Sequence, residues 1–155
     1  MDKKVEKLIE NRESYISEIA NAINGVSVQI HNSLRSFHRI EFHNRLQEEI
    51  SYLATKYYLY GIKEYQIEDF KEKGWDGFID VVWTTGFGKR EIPVVAFEID
   101  SSLRKKSVEK LLAVEAPFRF WVYYGKKEAG SLLEKEDPGG IITLINIERP
   151  EFIRS

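Results

Sequence analysis

Apolar positions in the first third of the chain recur at helical spacing. Val5, Leu8, Ile9, Ile16, Ile19 and Ile23 are separated by charged and polar residues, which predicts a helix over about 3–24 ended by Gly25. Residues 26–36 read as a loop or a short helix. A second stripe of Phe42, Leu46, Ile50, Leu53 and Tyr57 predicts a helix from Arg39 to Tyr60, with Gly61 as its stop. From residue 62 the period changes to two. Strands are expected over 62–70, 77–85 and 92–100, with a turn at Gly74 and a hairpin turn over 86–91. The third strand is apolar on both faces until its end, which makes it central and puts Pro93 at its start. A helix over 102–114, a strand over 118–124, a short helix over 128–136, a turn at Asp137–Gly140 and a strand over 141–147 complete the chain. This order describes one α/β domain over 1–155, a mixed sheet covered by helices. The strand–helix–strand unit 92–125 should be a right-handed parallel crossover.

Composition narrows the chemistry. The 155 residues contain no cysteine, which removes disulfides, a thiol nucleophile and Cys-ligated metal centres. Twenty-three basic residues against 25 acidic leave a net charge of −2, so any polyanion must be held by a local patch. The apolar runs, such as Val94–Phe97, are far too short for a membrane span, and Met1–Glu10 has no signal-peptide core. The expectation is a soluble cytoplasmic protein that does not engage membranes. No P-loop, dinucleotide-binding or Ser-hydrolase pattern occurs, so no nucleotide cofactor is expected.

Three carboxylates interrupt apolar strands. Glu98 and Asp100 end Val94-Val95-Ala96-Phe97-Glu98-Ile99-Asp100 and, two residues apart, share a strand face. Asp80 interrupts Phe78-Ile79-Asp80-Val81-Val82-Trp83 and lies beside Glu98 if the two strands pair as a hairpin. Carboxylates that converge repel unless a cation sits among them, and oxygen donors alone suit Mg²⁺ or Mn²⁺. The same residues also admit a plainer arrangement, with Asp80 and Glu98 in solvent and Asp100 capping the next helix.

On these residues the chain resembles the PD-(D/E)xK nuclease superfamily, the fold of many restriction enzymes and of archaeal Holliday-junction resolvases. The match comprises Glu48 or Glu49 on a helix, Asp80 on the second strand, and Glu98-Ile99-Asp100 at the end of the third. It covers about residues 39–125 and implies a restriction-endonuclease-like αβββαβ core, with the N-terminal helix as an addition. Helix geometry favours Glu49, which falls on the Phe42–Leu53 stripe, with Glu48 at its edge. The resemblance implies a metal-dependent DNA endonuclease or exonuclease. Asp80, Glu98, the Ile99 carbonyl and Glu49 would hold Mg²⁺ or Mn²⁺. The lysine that usually closes the motif is replaced by Asp100, either a further ligand or a means of orienting the nucleophile. Related families recruit a lysine from the following helix; Lys105, Lys106 and Lys110 are available there, and Lys106 is assigned the electrostatic role. The alternative is an inactive module on the same fold that binds DNA or a partner protein.

Arg104, Lys105, Lys106 and Lys110 follow the carboxylates directly and are placed to hold the phosphates of a DNA substrate. Arg35, His38 and Arg39, and the pair Lys126-Lys127, form further basic clusters that read as ordinary surface charge. His31, His38 and His43 lack the spacing of a metal site and read as surface or groove side chains. One active site cuts one strand per encounter, so duplex cutting calls for two copies. The N-terminal helix must bury its stripe against its own sheet or against the twofold mate of a homodimer.

Overall fold

The computed structural model describes residues 3–33, 36–67, 77–86 and 88–153. The order is α1 (Lys3–Glu10), α2 (Arg12–Ser33), α3 (Arg39–Leu53), β1 (Tyr60–Gln66), β2 (Phe78–Thr84), β3 (Pro93–Asp100), α4 (Lys105–Ala113), β4 (Phe118–Tyr123), α5 (Gly130–Glu136) and β5 (Ile142–Asn146). The five strands form one mixed sheet in the order β1-β2-β3-β4-β5. β1, β2 and β3 form an antiparallel meander; β3, β4 and β5 run parallel, joined through α4 and α5. The predicted parallel pairing within 92–125 is present, β3 is central, and Pro93 opens it. Residues 68–76, including the expected turn at Gly74 and the end of the first predicted strand, lie outside the described residues, as does Arg35.

The sheet carries a helical layer on each face. On one side α2 and α3 bury Ile19, Ile23, Phe42, Leu46 and Ile50 against Val81, Trp83, Val95 and Phe97. On the other, Val108 and Leu111 of α4 pack with Val82, Ala96 and Trp121. The indole N–H of Trp83 donates to the Ile50 carbonyl at 3.0 Å and fastens α3 to β2. That bond matters because both elements contribute to the site below.

Two predicted helix ends are corrected. Gly25 does not stop the first long helix, because Tyr15, Ile19, Ile23, Val26 and Ile30 continue one buried stripe through it. A tertiary face of five large side chains outweighs the roughly 1 kcal/mol that one exposed glycine costs a helix. That stripe closes the chain's own sheet rather than waiting for a twofold mate. Nor does Gly61 stop α3: a 3₁₀ turn over Ala54–Tyr57 ends at Tyr58 in the left-handed conformation, φ 58°, and Gly61 already lies in β1. Gly61 is needed there for another reason, since a Cβ would lie 2.0 Å from the Ser51 carbonyl oxygen of α3.

Candidate active site

Regular alternation fails where β2 passes Asp80. Ile79 packs on the α4 side of the sheet, whereas Val81 packs on the α3 side, although an unbroken strand would put both on one face. Across from it, Glu64 of β1 has φ 53°, an uncommon conformation for a residue with a side chain. Side chains serve the Asp80 main chain here. Its carbonyl accepts from Gln47 Nε2 at 2.9 Å, and its N–H donates to Glu98 Oε2 at 3.4 Å. The same Gln47 amide donates to Glu64 Oε1 at 2.9 Å, so one α3 side chain ties both distorted strands together.

The Asp80 carboxylate is wedged between β2 and β3. Oδ2 accepts from the Ile99 N–H at 2.8 Å and lies 3.6 Å from His43 Nε2. Glu98, 1% exposed, points toward α4, where the Lys110 ammonium lies 2.5 Å from Oε1 and also donates to the Phe78 carbonyl at 2.8 Å. Asp100, two residues on and 5% exposed, accepts from the Trp121 indole N–H at 2.8 Å and bonds Ser107 of α4. Burial of Glu98 and Asp100 excludes the half-exposed sheet. Arg104, not Asp100, occupies the cap position of α4.

Electrostatics separates the two close carboxyls. Burial, then the charge of Asp80, pushes Glu98 well above the ordinary carboxylate range, with Lys110 pulling the other way. Burial also pushes Asp80 up, but its interactions with His43 and Glu98, and the Ile99 amide, outweigh it and hold Asp80 below its ordinary value. The Asp80 carboxylate 3.6 Å away raises His43, against the effect of its burial. Asp100 is raised, chiefly by burial. The pair therefore prefers a proton near Glu98 and a charge on Asp80, a division that a cation between them would remove.

Asp80 and Glu98 thus come together as their strand positions suggest, whereas Asp100 feels the charge of Asp80 but is held by Trp121. Glu49 is half-buried, but Gln47 and His43 are the α3 side chains that reach Asp80. Glu49 lies about 200° further round the helix than Gln47. Glu48 is exposed and paired with Lys63 on β1. On α4, Arg104 and Lys105 are exposed, and Lys105 lies 3.9 Å from Glu136. Lys106 is half-buried one turn before Lys110. Lys110, expected at a phosphate-facing surface, instead turns inward to Glu98. The sequence signals for the missed residues were weak: Gln47 is a polar residue beside the apolar stripe, and His43 precedes it by one turn.

Among the described residues, no group of three or more His, Asp or Glu side chains is arranged to hold a metal ion. No described helix is long and apolar enough to cross a membrane. No family model, no curated protein and no solved structure matches the chain.

Proposed function

We propose that the protein is a divalent-metal-dependent phosphodiesterase acting on DNA. The observation that carries this reading is the meeting of Asp80 and Glu98, from different strands, in one buried site with Lys110 on the second carboxylate. The run α3–β1–β2–β3–α4–β4 has the helix, three strands, helix, strand order of the PD-(D/E)xK core, which supports the same reading. Two carboxylates suit Mg²⁺, which is commonly held by one or two of them plus water and substrate phosphate. Asp80 and Glu98 would hold the ion, with the Ile99 carbonyl as a further oxygen donor. The ion would polarise the phosphate and lower the pKa of a bound water.

The chain's own groups have separable roles. Gln47 holds the Asp80 main chain off the β1 ladder, and the Ile99 amide fixes the carboxylate. Lys110 supplies, from the helix, a cation that the motif itself lacks at Asp100. Asp100 is fixed by Trp121 and Ser107, which suits a positioning role better than that of a mobile ligand. That same fixed Asp100, with no lysine in its place, favours the second reading: an inactive module of this fold that binds DNA or a partner protein.

Cleavage of plasmid and labelled oligonucleotide DNA in Mg²⁺ and in Mn²⁺ tests the proposal, with Asp80→Asn and Glu98→Gln alongside. Metal-dependent cleavage lost in both variants is the expected result. Absence of cleavage in the wild type, or equal cleavage by both variants, refutes it. Calorimetric titration with Mg²⁺ separates the two readings, because the inactive module binds no ion at Asp80 and Glu98.

A further inference from the structure

A second charged feature lies beside the carboxylate site and is not used by it. The start of α3, the loop after β3, the loop after β4 and the C-terminal segment enclose a groove containing Arg39, Lys126, Lys127 and Arg149. Four cations meet here from three segments far apart in sequence. None has a carboxylate within 4.0 Å among the described residues. Among the described residues the acidic side chain on the groove wall is Glu151, which shares the His38 end of it. Four positive charges in one concavity, without a carboxylate partner among the described residues, repel one another, and an anion relieves that cost.

The groove is built rather than incidental. Arg149 donates to the Ser101 carbonyl at 3.1 Å and to the Tyr124 carbonyl at 3.0 Å, which fixes its guanidinium across the loops that follow β3 and β4. Arg149 and Arg39 lie over the Phe152 ring at 4.9 and 5.3 Å. Phe152 is itself held by its segment's bonds to Phe37: the Phe37 N–H donates to the Glu151 carbonyl and the Ile153 N–H to the Phe37 carbonyl. The N-cap residue of α3, His38, makes no side-chain capping bond, so the positive end of a 15-residue helix adds to the same field. The groove also adjoins the carboxylates. Arg149 bonds both Tyr124 and Ser101, Ser101 directly follows Asp100, and Tyr124 is within electrostatic reach of Asp100 and Asp80 as well as of Arg149 and Arg39.

We propose that this groove binds the phosphate backbone of a DNA strand, with Arg39 and Arg149 as fixed contacts and Lys126 and Lys127 as rim contacts. The proposal rests on the DNA-directed reading of the neighbouring carboxylates and names where that substrate is held. It moves the main phosphate contacts away from Arg104, Lys105, Lys106 and Lys110. A strand fits better than a single phosphate, because the cations line two adjoining hollows, one running to Phe152 and Ile153 and the other to Ser102 and Leu103, and two of the cations stand exposed at the rim.

The test is anisotropy of a short fluorescein-labelled single-stranded oligonucleotide with the full chain in EDTA, titrated at several salt concentrations. Four phosphate contacts on a single strand give a slope of log K against log salt of about −2.8, and Lys126→Gln/Lys127→Gln should reduce it to about −1.4. Arg39→Gln should weaken binding in the same direction. Arg104→Gln/Lys105→Gln should leave the slope nearly unchanged. The proposal is overturned if the wild type does not bind, if Lys126→Gln/Lys127→Gln binds as the wild type does, or if Arg104→Gln/Lys105→Gln takes the larger loss. Inorganic phosphate competing as well, per phosphate, as unlabelled oligonucleotide would overturn the strand in favour of a free anion. Metal is absent throughout, so binding without later cleavage in Mg²⁺ counts against the phosphodiesterase alone, and cleavage that survives Lys126→Gln/Lys127→Gln with unchanged binding counts against the groove alone.

Discussion

Lys110→Met removes one ammonium from the interior of the site while keeping the length of the side chain. The Lys110 side chain is 14% exposed and its partner Glu98 1%, so the pair is screened little by water. Two interactions vanish: the charge contact with Glu98 Oε1 and the bond to the Phe78 carbonyl. Orphaning that half-buried carbonyl costs about 1–3 kcal/mol at any pH. Leaving a buried carboxylate without its cation would raise the loss to about 3–5 kcal/mol. Glu98 can escape part of this second cost by taking a proton. Its folded-state pKa is already raised by burial and by Asp80, and removing Lys110 raises it further. A carboxyl whose folded pKa exceeds its unfolded value contributes stability that is complete below the unfolded value and is lost as pH rises through the folded one. The penalty of Lys110→Met should therefore be near the lower range at pH 5 and near the upper range at pH 8, growing by at most about 1.4 kcal/mol per pH unit. Urea unfolding of both proteins at several pH values measures it. Adding Glu98→Gln to both backgrounds removes the group that titrates, and the penalty should become flat. A penalty independent of pH with Glu98 present, or no penalty at pH 8, would refute the buried ion pair as described.

Three further outcomes follow from the packing and the site. Gly25→Ala should stabilise the protein by about 0.5–1 kcal/mol, because Gly25 is an exposed mid-helix residue whose added Cβ meets nothing within 4 Å; thermal unfolding measures this. Trp121→Phe should cost about 1.5–3 kcal/mol through loss of the buried indole bond to Asp100, and urea unfolding that shows no loss would mean that Asp100 is held by other groups. His43→Gln should destabilise more at pH 6 than at pH 8.5, since a raised histidine contributes stability that is complete below its unfolded pKa and disappears as pH rises through the folded one; NMR titration of the ring should show the upward shift, and Asp80→Asn should remove it.

The sequence by itself determined what depends on neighbours along the chain. Period-two and helical spacing located the described helices and strands to within a few residues, apart from the break at Asn11 that divides the first predicted helix into α1 and α2, the extension of α2 and the early end of α3. Pro93 marked the start of β3, and the i, i+2 spacing of Glu98 and Asp100 put both on one face of the strand, which packing makes the α4 side. Asp80 and Glu98 were legible as a pair because a hairpin register follows from two adjacent strands. The tertiary structure decided what depends on groups distant in sequence. Gly25 sits inside a helix because a buried face extends past it. Asp80 leaves the regular alternation of β2 because Gln47, 33 residues earlier, takes its carbonyl. Lys110 rather than Lys106 meets Glu98, and Gln47 and His43 rather than Glu49 meet Asp80, because the docking of α4 and α3 on the sheet sets which turn of each helix stands over the carboxylates. The groove of Arg39, Lys126, Lys127 and Arg149 joins three segments that share no local pattern. Local periodicity records which face of an element is apolar; which polar side chains meet across the sheet is fixed only when those faces pack.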